Sequence, residues 1–220
     1  DIISSEAGRF RRHKKGTLTG SVYYRRTNNL FFRLATVDEN GVGSVTYQNT
    51  SFSDDVGIEA IAQVRPLEKW DLTINANFYR TWVNAENITA DLTSNGWGGG
   101  GRLMSTYRFT KSTSFQLITN LRAPAQRPQG IIRPFFNVDV ALTQEVLKGK
   151  GSVNLRVSDI FNTRQFVFDL QTEEFDTYFL RNWETRSGFL NFTYRFGKQD
   201  MKNRNRSSRG SGGGGGDFDL

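Results

Sequence analysis

Cysteine is absent from all 220 residues, which excludes disulfides and thiolate metal sites. Histidine occurs once, as His13, in a basic turn beside Arg12 and Lys14. A Ser-His-Asp hydrolase would need that imidazole near a working cleft with oriented partners, and none can be identified. Catalysis is therefore not expected, and no cofactor is implied. No window approaches the run of about twenty apolar residues that a spanning helix needs, and no stretch sustains a helical period. Prolines number only four. The glycines Gly98 to Gly101 ahead of Arg102 lack the GxxxxGK[ST] arrangement and lead into a strand, so they read as a flexible loop end rather than a phosphate cradle. Asp38-Glu39-Asn40 and Asp54-Asp55 lack the ligand spacing of a calcium loop and read as surface turns. An initiator methionine and a signal peptide are also missing, which reads as a mature or truncated product.

A uniform basic surface is lacking too. Of the net charge of +7, residues 1–16 carry +3 and residues 197–220 carry +2, which leaves +2 for the body. Nucleic acid is not an expected partner.

What the chain does have is alternation, together with 13% aromatic residues. In the segment closing on Phe196, Leu190, Phe192, Tyr194 and Phe196 alternate with Asn191, Thr193 and Arg195. A period of two sends alternate side chains to opposite faces of a strand. Apolar residues on one face with a terminal aromatic fit a strand that turns its apolar side to lipid. The pattern recurs about eight times: 17–37, a second strand ending at Arg65 before Pro66, 70–82, 96–109, 115–122, 136–147, 153–171 across a kink at 159–162, and 177–196. In the third of these, Trp70, Leu72, Ile74, Ala76 and Phe78 share one face with Trp82. Twelve residues at a tilt of ~45° separate the two indoles by roughly 28 Å, about a bilayer. Trp70, Trp82, Tyr107, Phe109, Tyr194 and Phe196 are the expected membrane-interface aromatics. Arg80 interrupts that face, either snorkelling to headgroups or marking a bulge.

Turns at 13–16, 66–69, 110–113 and 148–151 are short and alternate with connections that include longer loops at 84–95 and 123–134. The connections at 38–41 and 172–176 look short, so the asymmetry is partial. Short turns on one side and loops on the other match an outer-membrane barrel with the short set, and both chain ends, in the periplasm. Three stretches result: the end of a preceding strand and a basic turn at 1–16, barrel strands at 17–196, and a basic, Gly-rich tail at 197–220. The tail has too little apolar surface to offset its ordering entropy and is expected to be disordered.

The segments SVYYRRT (Ser21–Thr27), TVDENG (Thr36–Gly41), VSDIFN (Val157–Asn162) and LNFTYRFG (Leu190–Gly197) resemble the C-terminal part of the barrel of TonB-dependent outer-membrane receptors, nearest the subgroup labelled outer-membrane β-barrel proteins. The resemblance implies an all-β, antiparallel transmembrane barrel of about twenty-two strands, of which these eight form the last third. It implies a plug and the remaining strands upstream, an energy-coupling TonB-type system reached through that N-terminal part, outer-membrane lipids as partners, and a lipoprotein subunit as an optional cap. The implied function is nutrient import across the outer membrane, without covalent chemistry.

On the face opposite the aromatics, Asn75, Asn77, Tyr79, Arg102, Asn120, Arg122, Asp139 and Arg156 form the expected lumen-lining wall. Tyr79, Arg102 and Arg122 lie nearest the long loops and are the first candidates for substrate contact. Two alternatives stay open. One is a complete eight-stranded barrel with a structural or adhesive role; the other is a soluble all-β binding domain.

Overall fold

The computed structural model describes residues 1–38, 40, 42–88, 92–171 and 176–196. Fifteen strands follow one another: β1 (Ile2–His13), β2 (Gly16–Asn28), β3 (Phe31–Val37), β4 (Gly43–Asn49), β5 (Phe52–Leu67), β6 (Trp70–Asn84), β7 (Thr93–Arg108), β8 (Thr113–Arg122), β9 (Ala125–Arg127), β10 (Gly130–Ile132), β11 (Phe135–Val146), β12 (Gly151–Ser158), β13 (Gln165–Gln171), β14 (Asp176–Asn182) and β15 (Ser187–Tyr194). Nine of them form one antiparallel sheet in the order β1-β2-β5-β6-β7-β8-β11-β12-β15. Every neighbour in that sheet is the next long strand of the chain, an up-and-down meander. The chain is an all-β, antiparallel barrel wall. Among the described residues β1 and β15 each have a single partner, so the sheet is open and does not close on itself.

Register fixes what each face carries. One row runs Val22–Ile58–Phe78–Gly99, and another runs Leu117–Val140–Val157. A third crosses Leu155 and Leu190, with Val153 beside Phe192. These residues share one face, and Val22, Ile58, Phe78, Leu155, Leu190 and Phe192 are exposed there. A soluble sandwich would bury such a face under a second sheet, and among the described residues none covers it. The buried apolar residues are few (Leu34, Val83, Ala85, Ala125, Ile132 and Val138), and most belong to the loops or to strand ends beside them. β1 departs from the pattern. Its register puts Arg9 and Arg11 on the apolar side and Phe10 on the polar side, so the amphipathic face fades at this edge.

Several boundaries differ from the alternation reading. The first strand does not run from 17 to 37. It breaks at Asn29, whose φ of 55° is left-handed, and the chain goes on as the separate hairpin β3–β4. The second strand is not ended by Pro66, since a register shift between Val64 and Leu67 absorbs the missing donor and the ladder resumes at Leu67–Trp70. The seventh and eighth strands each divide in two. β12 and β15 stay in the main sheet, whereas β13 and β14 join β9 and β10 in a second, four-stranded sheet in the order β14-β13-β10-β9. The stretch 123–134 is therefore a hairpin rather than an irregular loop. These hairpins complete the asymmetry that looked partial. One end has turns at 14–15, 68–69, 109–112 and 147–150, and the other carries the connections 29–51, 85–92, 123–134 and 159–186. The turn at Asp38–Gly41 is held by the Asp38 carboxylate, which accepts from the amides of Asn40 (2.9 Å) and Val42 (2.8 Å); Glu39 and Gly41, the apex at 172–175 and the tail at 197–220 lie outside the described residues.

Candidate functional site: a polar wall between two aromatic bands

The apolar face carries aromatics toward both ends. At the short-turn end Trp70 pairs across the sheet with Tyr107, which pairs with Phe115. The Trp70 indole donates to Ser105 Oγ (2.9 Å), and Tyr107 meets Phe109 edge to face at 5.2 Å. Tyr194 sits beside Gly151 at the same end of β15, and Phe196 follows with its ring exposed. At the long-loop end stand Trp82 and Trp97, with Phe78 stacked on Trp97 at 4.9 Å. No bulge occurs at Arg80, so it points to the apolar face. Its guanidinium lies over Trp82 (5.1 Å) and Trp97 (5.4 Å) and donates to Asn95 Oδ1 (3.2 Å). Two rings and an amide substitute for headgroup contact there. Trp97 escaped the sequence reading because the glycines around it hide the alternation.

All eight candidate lumen residues fall on the opposite, polar face. Asn75 pairs with Arg102, Arg102 with Asn120, and Asn120 with Asn137, one row across four strands. Asn77, Gly100 and Arg122 make the next row toward the loops. The set then divides. Asn120, Asp139 and Arg156 are tied into a network: Asn120 donates to Asn137 (3.4 Å), Asn137 to Asp139 (3.3 Å) and Arg156 to Asp139 (2.8 Å). A concavity of about 180 Å³ opens on this face beside Gln116, Ile118, Asp139, Asn154 and Arg156. The side chains of Asn75, Asn77, Tyr79, Arg102 and Arg122 make no hydrogen bond among the described residues.

Glycine decides how that second group stands. Tyr23, Gly57, Tyr79 and Gly98 form one row across β2, β5, β6 and β7. A Cβ on Gly57 would lie 2.5 Å from the Tyr23 ring, and one on Gly98 would lie 2.6 Å from the Tyr79 ring. Each ring thus lies flat on the glycine of the next strand. On Gly96 a Cβ would come within 2.4 Å of Gln126 Cβ, because β9 folds against β7 there. Gly98–Gly101 is therefore the interior of a strand made flat for its neighbours, and not the loop end expected from sequence.

The VSDIFN segment builds the joint between wall and loops. Asp159 (φ 44°) and Asn162 (φ 54°) are left-handed, and Asn162 N–H closes on Asp159 O at 2.9 Å. The Asp159 carboxylate, 1% exposed, accepts from the amides of Thr163 (3.0 Å) and Arg164 (3.1 Å) and from the Thr185 hydroxyl. Its own amide donates to Asp139 (2.9 Å), linking the joint to the polar network. Burial works against this charge, but the bonds from Thr185, Thr163 and Arg164 outweigh it and hold the carboxyl below the usual carboxylate range. A second fastener is the buried Gln129, whose amide bonds both ways to Ala35 N and O at 2.9 Å. Nothing in the sequence marked Gln129, because its partner is 94 residues away. Asp54 and Asp55 face opposite sides of β5, so they cannot share a cation. Asp54 is held by Arg26 (2.6 Å) and Tyr24 (2.8 Å).

An antiparallel wall with an exposed apolar face, aromatic bands at both ends and a polar reverse face defines a transmembrane β-barrel. Residues 6–194 match the family described as "Outer membrane protein beta-barrel family", and the chain belongs to it. Its place is the outer membrane. No curated protein and no solved structure matches it.

Proposed function

We propose that the chain forms the C-terminal wall of a plugged, TonB-dependent importer, which binds a nutrient outside and passes it along the polar face when inner-membrane energy moves the plug. The observation that carries the reading is the open sheet. Nine strands with two single-partnered edges are suited to a larger barrel in which other strands join β1 and β15. The polar wall supports it further, since the side chains of Asn75, Asn77, Tyr79, Arg102 and Arg122 make no hydrogen bond among the described residues. In this orientation the short turns and the C-terminal tail are periplasmic, and the β3–β4, β9–β10 and β13–β14 hairpins form the outer binding surface. Function on loops carried by a rigid scaffold is the usual arrangement. A plug, a TonB-type coupling system and a lipoprotein cap are the partners the reading implies.

The test is the intact mass of the native protein in an outer-membrane fraction, detected with an antibody to residues 197–220. A mass several times the 25.0 kDa of this chain is expected. A mass near 25.0 kDa would leave no room for a plug and would replace import with the small structural barrel.

A further inference from the structure

Among the described residues five arginines meet a carboxylate. Arg26 meets Asp54, Arg65 and Arg108 meet Asp71, Arg133 meets Asp169 and Arg156 meets Asp139. Arg102 and Arg122 sit in the middle of the polar wall without such a partner. Among the described residues neither has a carboxylate within 4.0 Å. Their register neighbours are Asn75, Asn120, Gly100 and Phe135, all uncharged. Glu59 is the acid in the Arg122 row, three strands away past Asn77 and Gly100. At ~4.8 Å per strand it stands ~14 Å off, beyond a Debye length in physiological salt. Asp139, toward the other edge, is already occupied by Arg156 and the Asp159 amide.

The charge is also concentrated rather than scattered. Arg102 on β7 and Arg122 on β8 are diagonal neighbours on one face, a spacing of about 7–8 Å that long side chains close easily. Two guanidiniums side by side with no carboxylate between them repel each other. The glycine strand gives room for this. Gly98 and Gly100 have no side chains that would stand between Tyr79, Arg102 and Arg122, so the three groups face one open patch.

Building on the import reading, we propose that Arg102 and Arg122, with Tyr79 and the amides of Asn75 and Asn120, form an oxyanion-binding site that selects carboxylate- or phosphate-bearing solutes. Forked guanidinium donors suit planar or tetrahedral oxyanions, and the neutral amides and phenol add orientation. A neutral sugar would leave both arginines unpaired, so the wall discriminates by charge.

The experiment is isothermal titration of the native protein in detergent, at low salt, with citrate, tripolyphosphate and neutral maltotriose as probes. Citrate or tripolyphosphate is expected to bind and maltotriose is not. Arg102→Gln and Arg122→Gln are each expected to lower the affinity about tenfold. Arg80→Gln, on the apolar face, is expected to leave it unchanged. Heat-modifiable migration on a gel reports that each variant is folded. Citrate binding alone assigns a carboxylate ligand, and tripolyphosphate binding alone assigns a phosphate; either supports the site. Wild-type protein that binds neither anion at millimolar concentration, or folded Gln variants that bind as tightly as wild type, would overturn it. The titration needs no energised membrane, so failure of the import reading and failure of this site are seen separately.

Discussion

At the scale of single residues, small side chains govern the wall as much as large ones. The Tyr79 ring occupies the space a Cβ on Gly98 would need, at 2.6 Å. Gly98→Val should displace that ring and cost about 1–3 kcal/mol, typical of overpacking. Urea unfolding in micelles reads this cost, and combining Gly98→Val with Tyr79→Ala should recover part of it, since the two changes relieve the same clash. Asp159 gives a residue-scale prediction with a sign. Its carboxyl lies below the usual range in the folded state, so the unfolded chain binds the proton more tightly. The stability it contributes is present above the ordinary carboxylate value of about 4 and is lost as pH falls through the lower folded value. Limited proteolysis between Asn162 and Thr185 should therefore accelerate in acid, and Asp159→Asn should show the acid behaviour already at neutral pH, by about 1–3 kcal/mol of lost anchoring.

At the scale of elements, the eight alternating strands were legible because each needs only its own sequence. A period of two survives whatever lies next door, and part of each of the eight reappears in the main sheet. What alternation could not see is where a strand leaves that sheet. The breaks at Asn29 and at Asp159–Asn162 depend on left-handed residues and distant partners, and both sides of each break keep strand composition. The polar wall was equally legible from parity, yet its division into a bonded network and unpartnered groups depends on Asn137, which is buried by pairing with another strand. Glycine misled for the same reason, since its value here lies in the Tyr79 and Gln126 side chains of neighbouring elements. The Gln129–Ala35 clasp belongs to this scale. Gln129→Ala should free the β3–β4 hairpin from β9–β10, removing two bonds worth about 1 kcal/mol each. Hydrogen exchange at the Ala35 amide should rise while exchange along β6 stays unchanged.

At the scale of the whole molecule, two faces with two solvents organise everything else. The energetic asymmetry follows from position alone. Ala76→Arg on the apolar face should cost about 2–4 kcal/mol near the bilayer midplane. Asn77→Arg, one residue away on the polar face and opposite Glu59, should stay within about 0.5 kcal/mol. Folding yield into lipid vesicles across a urea series compares them. The most direct test uses the absence of cysteine from these 220 residues, so an introduced thiol is the only one in this stretch and labelling is read against the parent protein. Single cysteines at successive positions from Leu72 to Tyr79 are placed in the native protein and exposed, in isolated outer membranes, to a charged, water-soluble maleimide. Labelling with a period of two is expected, with Thr73, Asn75, Asn77 and Tyr79 reactive and Leu72, Ile74, Ala76 and Phe78 protected by lipid. Uniform labelling, or reaction at the apolar positions instead, would contradict a wall with lipid on one side and a polar passage on the other.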